Sequence, residues 1–274
     1  MRALAAVLLL SLTVTGCYSP EVHRGLTYEP TIPGATFDVY EPGQFAKGHG
    51  KKNRPAIIAI HGGGWQGGDK SWGESVAERY VPQGYVVFAI NYRLAPQARW
   101  PAQIEDCQAA LRYVCGTASN WGVDPTRIGA FGHSAGGHLA AMLALRGPDR
   151  VRAAVTANGE GDLTVLGSEP IMDREVELLE ALLGPRPWPP GTLEDLSPVT
   201  FARPDAAVLV IHSVHDPNVF YPQGVRLHDA LAQVGADTGL VTVDGGCHNR
   251  CWQEDEPMRR ASEFFRRHLA DKEN

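Results

Sequence analysis

Residues 127–145 read RIGAFGHSAGGHLAAMLAL, and this stretch decides the fold. Arg127 to Phe131 has the compact apolar character of a strand and Leu139 to Leu145 that of a helix. Gly132, His133, Ser134, Ala135, Gly136 and Gly137 stand directly between them. Glycines on both sides of a serine remove the Cβ atoms that would block a sharp strand-to-helix turn, so the Ser134 hydroxyl is thrust out at the tip. The helix N-terminus behind it favours developing negative charge. A lone Gly-x-Ser-x-Gly arises often by chance; the strand before it and the helix after it give this one its weight.

Outward from the turn, further compact apolar runs occupy Thr36 to Tyr40, Ala56 to Ile60, Tyr85 to Ile90, Val151 to Ala157, Ala207 to Ile211 and Leu240 to Val243. Continuous runs of this kind suit strands buried on both faces. Helical patterns alternate with them. Pro101 opens a segment with Ile104, Cys107, Leu111 and Val114 on one face, and Met258, Ala261, Phe265 and Leu269 repeat that spacing near the end. The alternation predicts an α/β protein with a doubly wound, mostly parallel sheet, whose ligands sit at the carboxyl ends of the strands. Residues 159–198 break the rhythm with a helical piece, Arg174 to Leu183, followed by Pro185, Pro187, Pro189 and Pro190. This reads as a short cap or lid inserted into the 35–274 domain. Residues 17–34, with Pro20, Pro30 and Pro33, read as a tether.

Two more glycine- and histidine-bearing loops follow predicted strands. His61, Gly62, Gly63, Gly64 and Trp65 come after Ala56 to Ile60, where inward-turned N–H groups can hold an oxyanion, an arrangement worth roughly 10² to 10³ in rate. We assign Gly63, Gly64 and the N–H of Ala135 to that role. The rival readings are a flexible turn or a phosphate loop, and the spacing of a dinucleotide site is missing. A serine nucleophile needs a base and the base an orienting acid. Asp216 follows the run Ala207 to Ile211, and His248 follows Leu240 to Val243, in the chain order serine, acid, histidine. Asp205 precedes its strand and Asp244 suits a turn. His212 and His215 come too early, His133 lies inside the elbow, and His138, His228 and His268 belong to helical segments.

The balance of 25 Lys and Arg against 31 Asp and Glu, net −6, lacks the basic excess of a nucleic-acid binder. At the N-terminus Arg2 precedes twelve residues, Ala3 to Val14, interrupted only by Ser11 and Thr13. A bilayer span takes ~20 apolar residues, so this is a secretory leader, residues 1–16. Val14, Thr15, Gly16 and Cys17 follow in the manner of a bacterial lipobox, which makes Cys17 the acylated first residue and places the chain in the cell envelope. Lipid chains are then its only membrane contact. An ordinary leader with a chance cysteine is the plainer alternative. In that oxidising compartment Cys107, Cys115, Cys247 and Cys251 allow three pairings. The first two sit eight residues apart on one helix, a rise of roughly 12 Å, too far for a bridge. Cys247 and Cys251 can close a short loop around His248; a zinc site is the rival, without the metal spacings.

With these residues in view the chain resembles the His-Gly-Gly-Gly esterases related to hormone-sensitive lipase. It is still more similar to the bacterial α/β hydrolases with His-Gly-Gly-x-Trp that include feruloyl and carbohydrate acetyl esterases. The likeness runs from about Ala35 to Leu269 and takes in Tyr92 to Pro96, Pro101 to Asp106 and Trp121 to Arg127. It implies an α/β-hydrolase fold, a triad of Ser134, His248 and Asp216, and an oxyanion hole of Gly63, Gly64 and Ala135. It further implies an acyl-enzyme route on small-molecule or polysaccharide esters that calls for no metal and no cofactor. Relatives commonly continue after the histidine with a small residue, whereas Asn249, Arg250 and Cys251 stand here. A peptidase or amidase, and a non-catalytic envelope binding protein on the same fold, are the alternatives. Trp65, Trp188 and Phe220 are candidates to shape the substrate pockets.

Overall fold

The computed structural model describes residues 20–43, 53–165 and 173–271. Cys17, the leader before it and the side chain of Cys251 lie outside the described residues. Strand β1 is Glu21–Thr27, β2 Thr36–Glu41 and β3 Arg54–Ile60; α1 (Gly73–Tyr80) leads to β4 (Val86–Ile90) and α2 (Ala102–Thr117) to β5 (Val123–His133). After α3 (Ala135–Leu145) come β6 (Ala153–Ala157), α4 (Asp173–Leu183), α5 (Thr192–Leu196) and β7 (Ala207–Ser213). The chain ends in α6 (Tyr221–Gln233), β8 (Asp237–Val243) and α7 (Asp255–Leu269).

Eight strands form one sheet in the order β1-β2-β4-β3-β5-β6-β7-β8. The first two joints, β1 with β2 and β2 with β4, are antiparallel, and the other five are parallel. This is the mostly parallel α/β sheet that the alternating pattern predicts. The six strands between the edges β1 and β8 are buried along most of their length on both faces. Along β3, Ala56, Ile58 and Ile60 enter a core with α2 and α3, while Ile57 and Ala59 enter the opposite core with α1 and α7. The predicted helix faces hold as well: Ile104, Cys107, Leu111 and Val114 of α2, and Met258, Ala261, Phe265 and Leu269 of α7, are all buried. Every residue of α3 is buried, because sheet, α2 and the cap segment enclose it on all sides.

The stretch 17–34, expected as a tether, instead contains β1, hydrogen-bonded along β2. Its side chains are exposed or half-buried throughout, so ladder bonds rather than an apolar face hold it, and no periodic signal marks it. The insertion between β6 and β7 carries the expected helix, α4, and a short second one, α5. It docks back on the body: Leu196 accepts a hydrogen bond from His138 Nε2 of α3 (2.7 Å), and Trp100 Nε1 donates to Asp195 (2.8 Å). Among the described residues no helix is long and apolar enough to cross a membrane.

Candidate active site

Strand β5 runs straight into α3 with Ser134 as the joint. The serine backbone stands at φ 55°, ψ −129°, a strained setting for a residue with a Cβ, as the elbow requires. Two bonds pin it: Ser134 N–H donates to the Ala157 carbonyl (2.9 Å) and its own carbonyl accepts from His138 N–H (3.0 Å). The glycines are needed for close approach rather than for flexibility. A Cβ on Gly132 would enter the Gly136 carbonyl, and one on Gly62 would stand 2.7 Å from the His133 carbonyl.

After β3 the glycine loop turns through φ 116° at Gly63, 58° at Gly64 and 57° at Trp65. The Gly63 and Gly64 N–H groups make no hydrogen bond to the described protein, and the Ala135 N–H opens α3, where no helical partner precedes it. Both loop glycines and Ser134 line a cavity of about 550 Å³, bounded also by Glu160, Leu178 and His248.

The loops after β7 and β8 bring Asp216 and His248 together. His248 Nδ1 lies 2.8 Å from Asp216 Oδ2 and 3.0 Å from Oδ1, both groups being buried. Asp216 Oδ1 also accepts from the N–H groups of Asn218 (2.8 Å) and Val219 (3.0 Å). Desolvation alone would lift its pKa; the bonds from His248 and from these amides outweigh it and hold the carboxylate below its ordinary value. Since Nδ1 serves the carboxylate, the proton sits there and Nε2 is left as a base. Ser134 and His248 line the same cavity without a hydrogen bond between them among the described residues. Such bonds commonly tighten only around substrate.

Two residues that the sequence did not single out for this purpose hold His248 from behind. Asn158 Nδ2 (2.8 Å) and His133 Nε2 (2.7 Å) both donate to the His248 carbonyl, and Asn158 Oδ1 accepts from Ser213 N–H (2.9 Å). His133, the variable residue of the elbow, stacks near Trp72 and Trp252. Burial lowers its pKa to about 4, so at neutral pH it is an uncharged donor. A polar residue at a strand end looks like a turn former, which is why Asn158 carried no signal. The other acids and bases fall where expected: Asp205 pairs with Arg203 and Arg150 before β7, while His212, buried, lies 2.9 Å from the Val219 carbonyl through Nε2.

The pocket aromatics divide. Trp65 lines the cavity; Trp188 lines a separate depression on the cap with Pro187 and Pro189, and Phe220 is exposed. Neither lines the main cavity. Cys247 is disulfide-bonded, and Cys107 and Cys115 carry free thiols. Among the described residues one grouping has metal-ligand character, Glu21, His23 and Glu41 on the β1–β2 ribbon. There Glu41 is already bonded to Arg54 (2.7 Å).

Comparison with known proteins yields a match of residues 37–231 to the BD-FAE family model. The esterase LipQ of Mycobacterium tuberculosis is 30% identical over 78% of this chain and 53% of its own length. A probable isoprenylcysteine alpha-carbonyl methylesterase of rice is 26% identical over 88% of this chain and 60% of its own. The chain thus spans about half the length of the curated relatives it matches. Among solved structures, a truncated carbohydrate esterase from gut microbiota superposes with a TM-score of 0.82 at 26% identity, covering 93% of this chain and 98% of that one. An esterase of the planctomycete Thermogutta terrifontis gives 0.72 at 26% identity, covering 93% and 95%.

Proposed function

This chain belongs to the BD-FAE family on the α/β-hydrolase fold, and from that premise we propose that it is a serine-dependent carboxylic ester hydrolase. The observation that carries the reading is the His248 to Asp216 pair in the cavity onto which the strained Ser134 elbow opens. His248 Nε2 takes the Ser134 proton as Oγ attacks the ester carbonyl, and the amides of Gly63, Gly64 and Ala135 receive the oxyanion. The imidazolium returns the proton to the leaving alcohol, which leaves an acyl-serine. Water, deprotonated by the same imidazole, then frees the acid and restores Ser134, while Asp216 holds the ring and balances its charge.

Ser134→Ala is expected to abolish turnover of 4-nitrophenyl acetate by the folded protein, and a fluorophosphonate probe to label wild type alone. Retained turnover, or labelling of the variant, sinks the assignment. We place short-acyl or carbohydrate and feruloyl esters as the substrate class, a reading that the likeness to a carbohydrate esterase supports on the carbohydrate side. We further assign Cys17 as a lipidated N-terminus at the cell envelope and Cys251 as the partner of Cys247. A palmitate analogue fed to expressing cells should label wild type and not Cys17→Ser; an unlabelled wild type removes the anchor.

A further inference from the structure

In the catalytic half of the cavity the buried carboxylate, Asp216, is paired with His248 and two backbone amides. The carboxyl in the half beneath the cap has no such set of partners. Glu160, in the loop after β6 and two residues beyond Asn158, lines the cavity beside Leu163, Leu178 and Leu179. It is 6% exposed, and its Oε2 is buried without a hydrogen-bond partner. Trp65, on the facing glycine loop, lines the same cavity and buries an Nε1–H that also lacks one. A buried polar atom left unpaired costs about 1–3 kcal/mol, so natural folds keep few of them, and those kept call for an explanation. A structural acid would have been given an arginine or a set of amides, as Asp216 was given its own.

We propose that Glu160 is a specificity-determining residue: its carboxyl hydrogen-bonds a hydroxyl of the bound ester, so that the cavity selects esters of polyhydroxyl compounds. The proposal rests on the esterase reading and assigns a residue to recognise the hydroxyls of the carbohydrate esters proposed there. Burial disfavours the charged form of Glu160, as do the neighbouring charges of Glu175 on α4 and Asp216 after β7, against a small opposing effect of its own N–H. Tyr92, from the loop after β4, feels the same carboxyl. A neutral carboxyl offers one donor and spare acceptor positions, the same pair that an alcohol hydroxyl presents in return. An ammonium group would demand the ionised form, which the site resists. An anionic substrate would meet Asp69 and Glu175 against Arg250 among the charged lining groups.

The test compares kcat/KM for 4-nitrophenyl acetate with that for a monoacetylated methyl xyloside, in wild type, Glu160→Gln and Glu160→Leu, each checked by thermal melting. Glutamine keeps a donor and an acceptor, so its ratio of sugar ester to nitrophenyl ester should stay near the wild-type ratio. Leucine should lower that ratio roughly 10-fold, mainly through KM. An unchanged ratio in Glu160→Leu overturns the proposal; an equal loss in Glu160→Gln supports it with the ionised carboxylate as the acceptor of the hydroxyl. Wild type that hydrolyses the nitrophenyl ester but not the sugar ester overturns it alone. Wild type inert to both brings down the esterase reading with it. If the variants melt early, the wild type still decides: methyl xyloside should inhibit nitrophenyl acetate hydrolysis competitively and far better than cyclohexanol, and equal inhibition defeats the idea.

Discussion

Asp216 and Glu160 are both buried carboxyls in loops at the carboxyl ends of adjacent strands, β7 and β6, and their surroundings drive them in opposite directions. Asp216 meets the imidazole of His248 and two backbone amides and is held below its ordinary pKa. Glu160 meets leucines and like charges and is pushed up to about 8. Burial raises both; the donors supplied by the chain reverse the outcome for one only. Depth in the protein therefore does not assign charge at this site, and the supply of N–H groups does.

The largest expected effect attacks the paired member. Asp216→Asn preserves the shape of the loop but offers an amide to Nδ1, so the ring can adopt the wrong tautomer and kcat should fall about 10⁴-fold. A loss below 10-fold in steady-state assays would mean that the donors around Asp216 do not matter to the chemistry. The next test turns to the unpaired member and reads stability. Glu160 ionises near 8 in the fold against 4.5 in an open chain. Between those values the unfolded chain has released a proton that the fold retains, so stability falls as pH rises from about 4.5 to 8, and the deficit is complete above 8. Glu160→Gln has nothing to ionise. Its melting temperature should exceed that of wild type by roughly 5 °C at pH 9, with little gain at pH 4.5. Parallel melting curves would show that Glu160 is already charged and paired.

A smaller effect belongs to the scaffold behind the base. Asn158→Ala removes one of two donors to the His248 carbonyl, and kcat should drop roughly 10-fold with KM nearly unchanged. Smallest is the acid limb. Burial lowers His133 and His138 to about 4, against 6.5 in an open chain. The fold therefore loses stability as pH falls from 6.5 towards 4, where the unfolded chain binds protons that the fold refuses. In wild type the rising Glu160 contribution opposes this over the same window, so the measurement belongs in Glu160→Gln: there, melts at pH 6.5 and 4.5 should differ by a few degrees, less so when His138→Asn is added, and a flat profile in Glu160→Gln would argue that these rings are not dry.

Much of this was legible in the residues. Buried parallel strands announce themselves by continuous apolar runs, and the elbow by glycines that backbone contact forbids from being anything else. Asp216 and His248 followed from their places after the last two strands. What stayed hidden had no periodic or compositional mark. Strand β1 is held mainly by ladder bonds, with no residue fully buried and only Leu26 packed on the core, so its mostly polar sequence reads as a linker. Asn158 and His133 act through the far end of another residue's backbone, a relation set by three-dimensional contact between loops separated by 90 and 115 positions. Trp188 and Phe220 were given pocket roles from residue type alone, and the direction in which a loop side chain points is not written in its type.

The complete enclosure of α3 has a consequence for how the molecule is made. Ala135 to Leu145 leaves the ribosome before β6, the cap and β7, which later cover it, so an almost wholly apolar helix waits while the rest of the chain emerges. That interval is when self-association is most favoured. A truncated product ending near residue 150 should bind the dye ANS and precipitate, whereas the finished chain should do neither. Slowing translation downstream of α3 should lower the yield of soluble protein more than the same delay placed upstream.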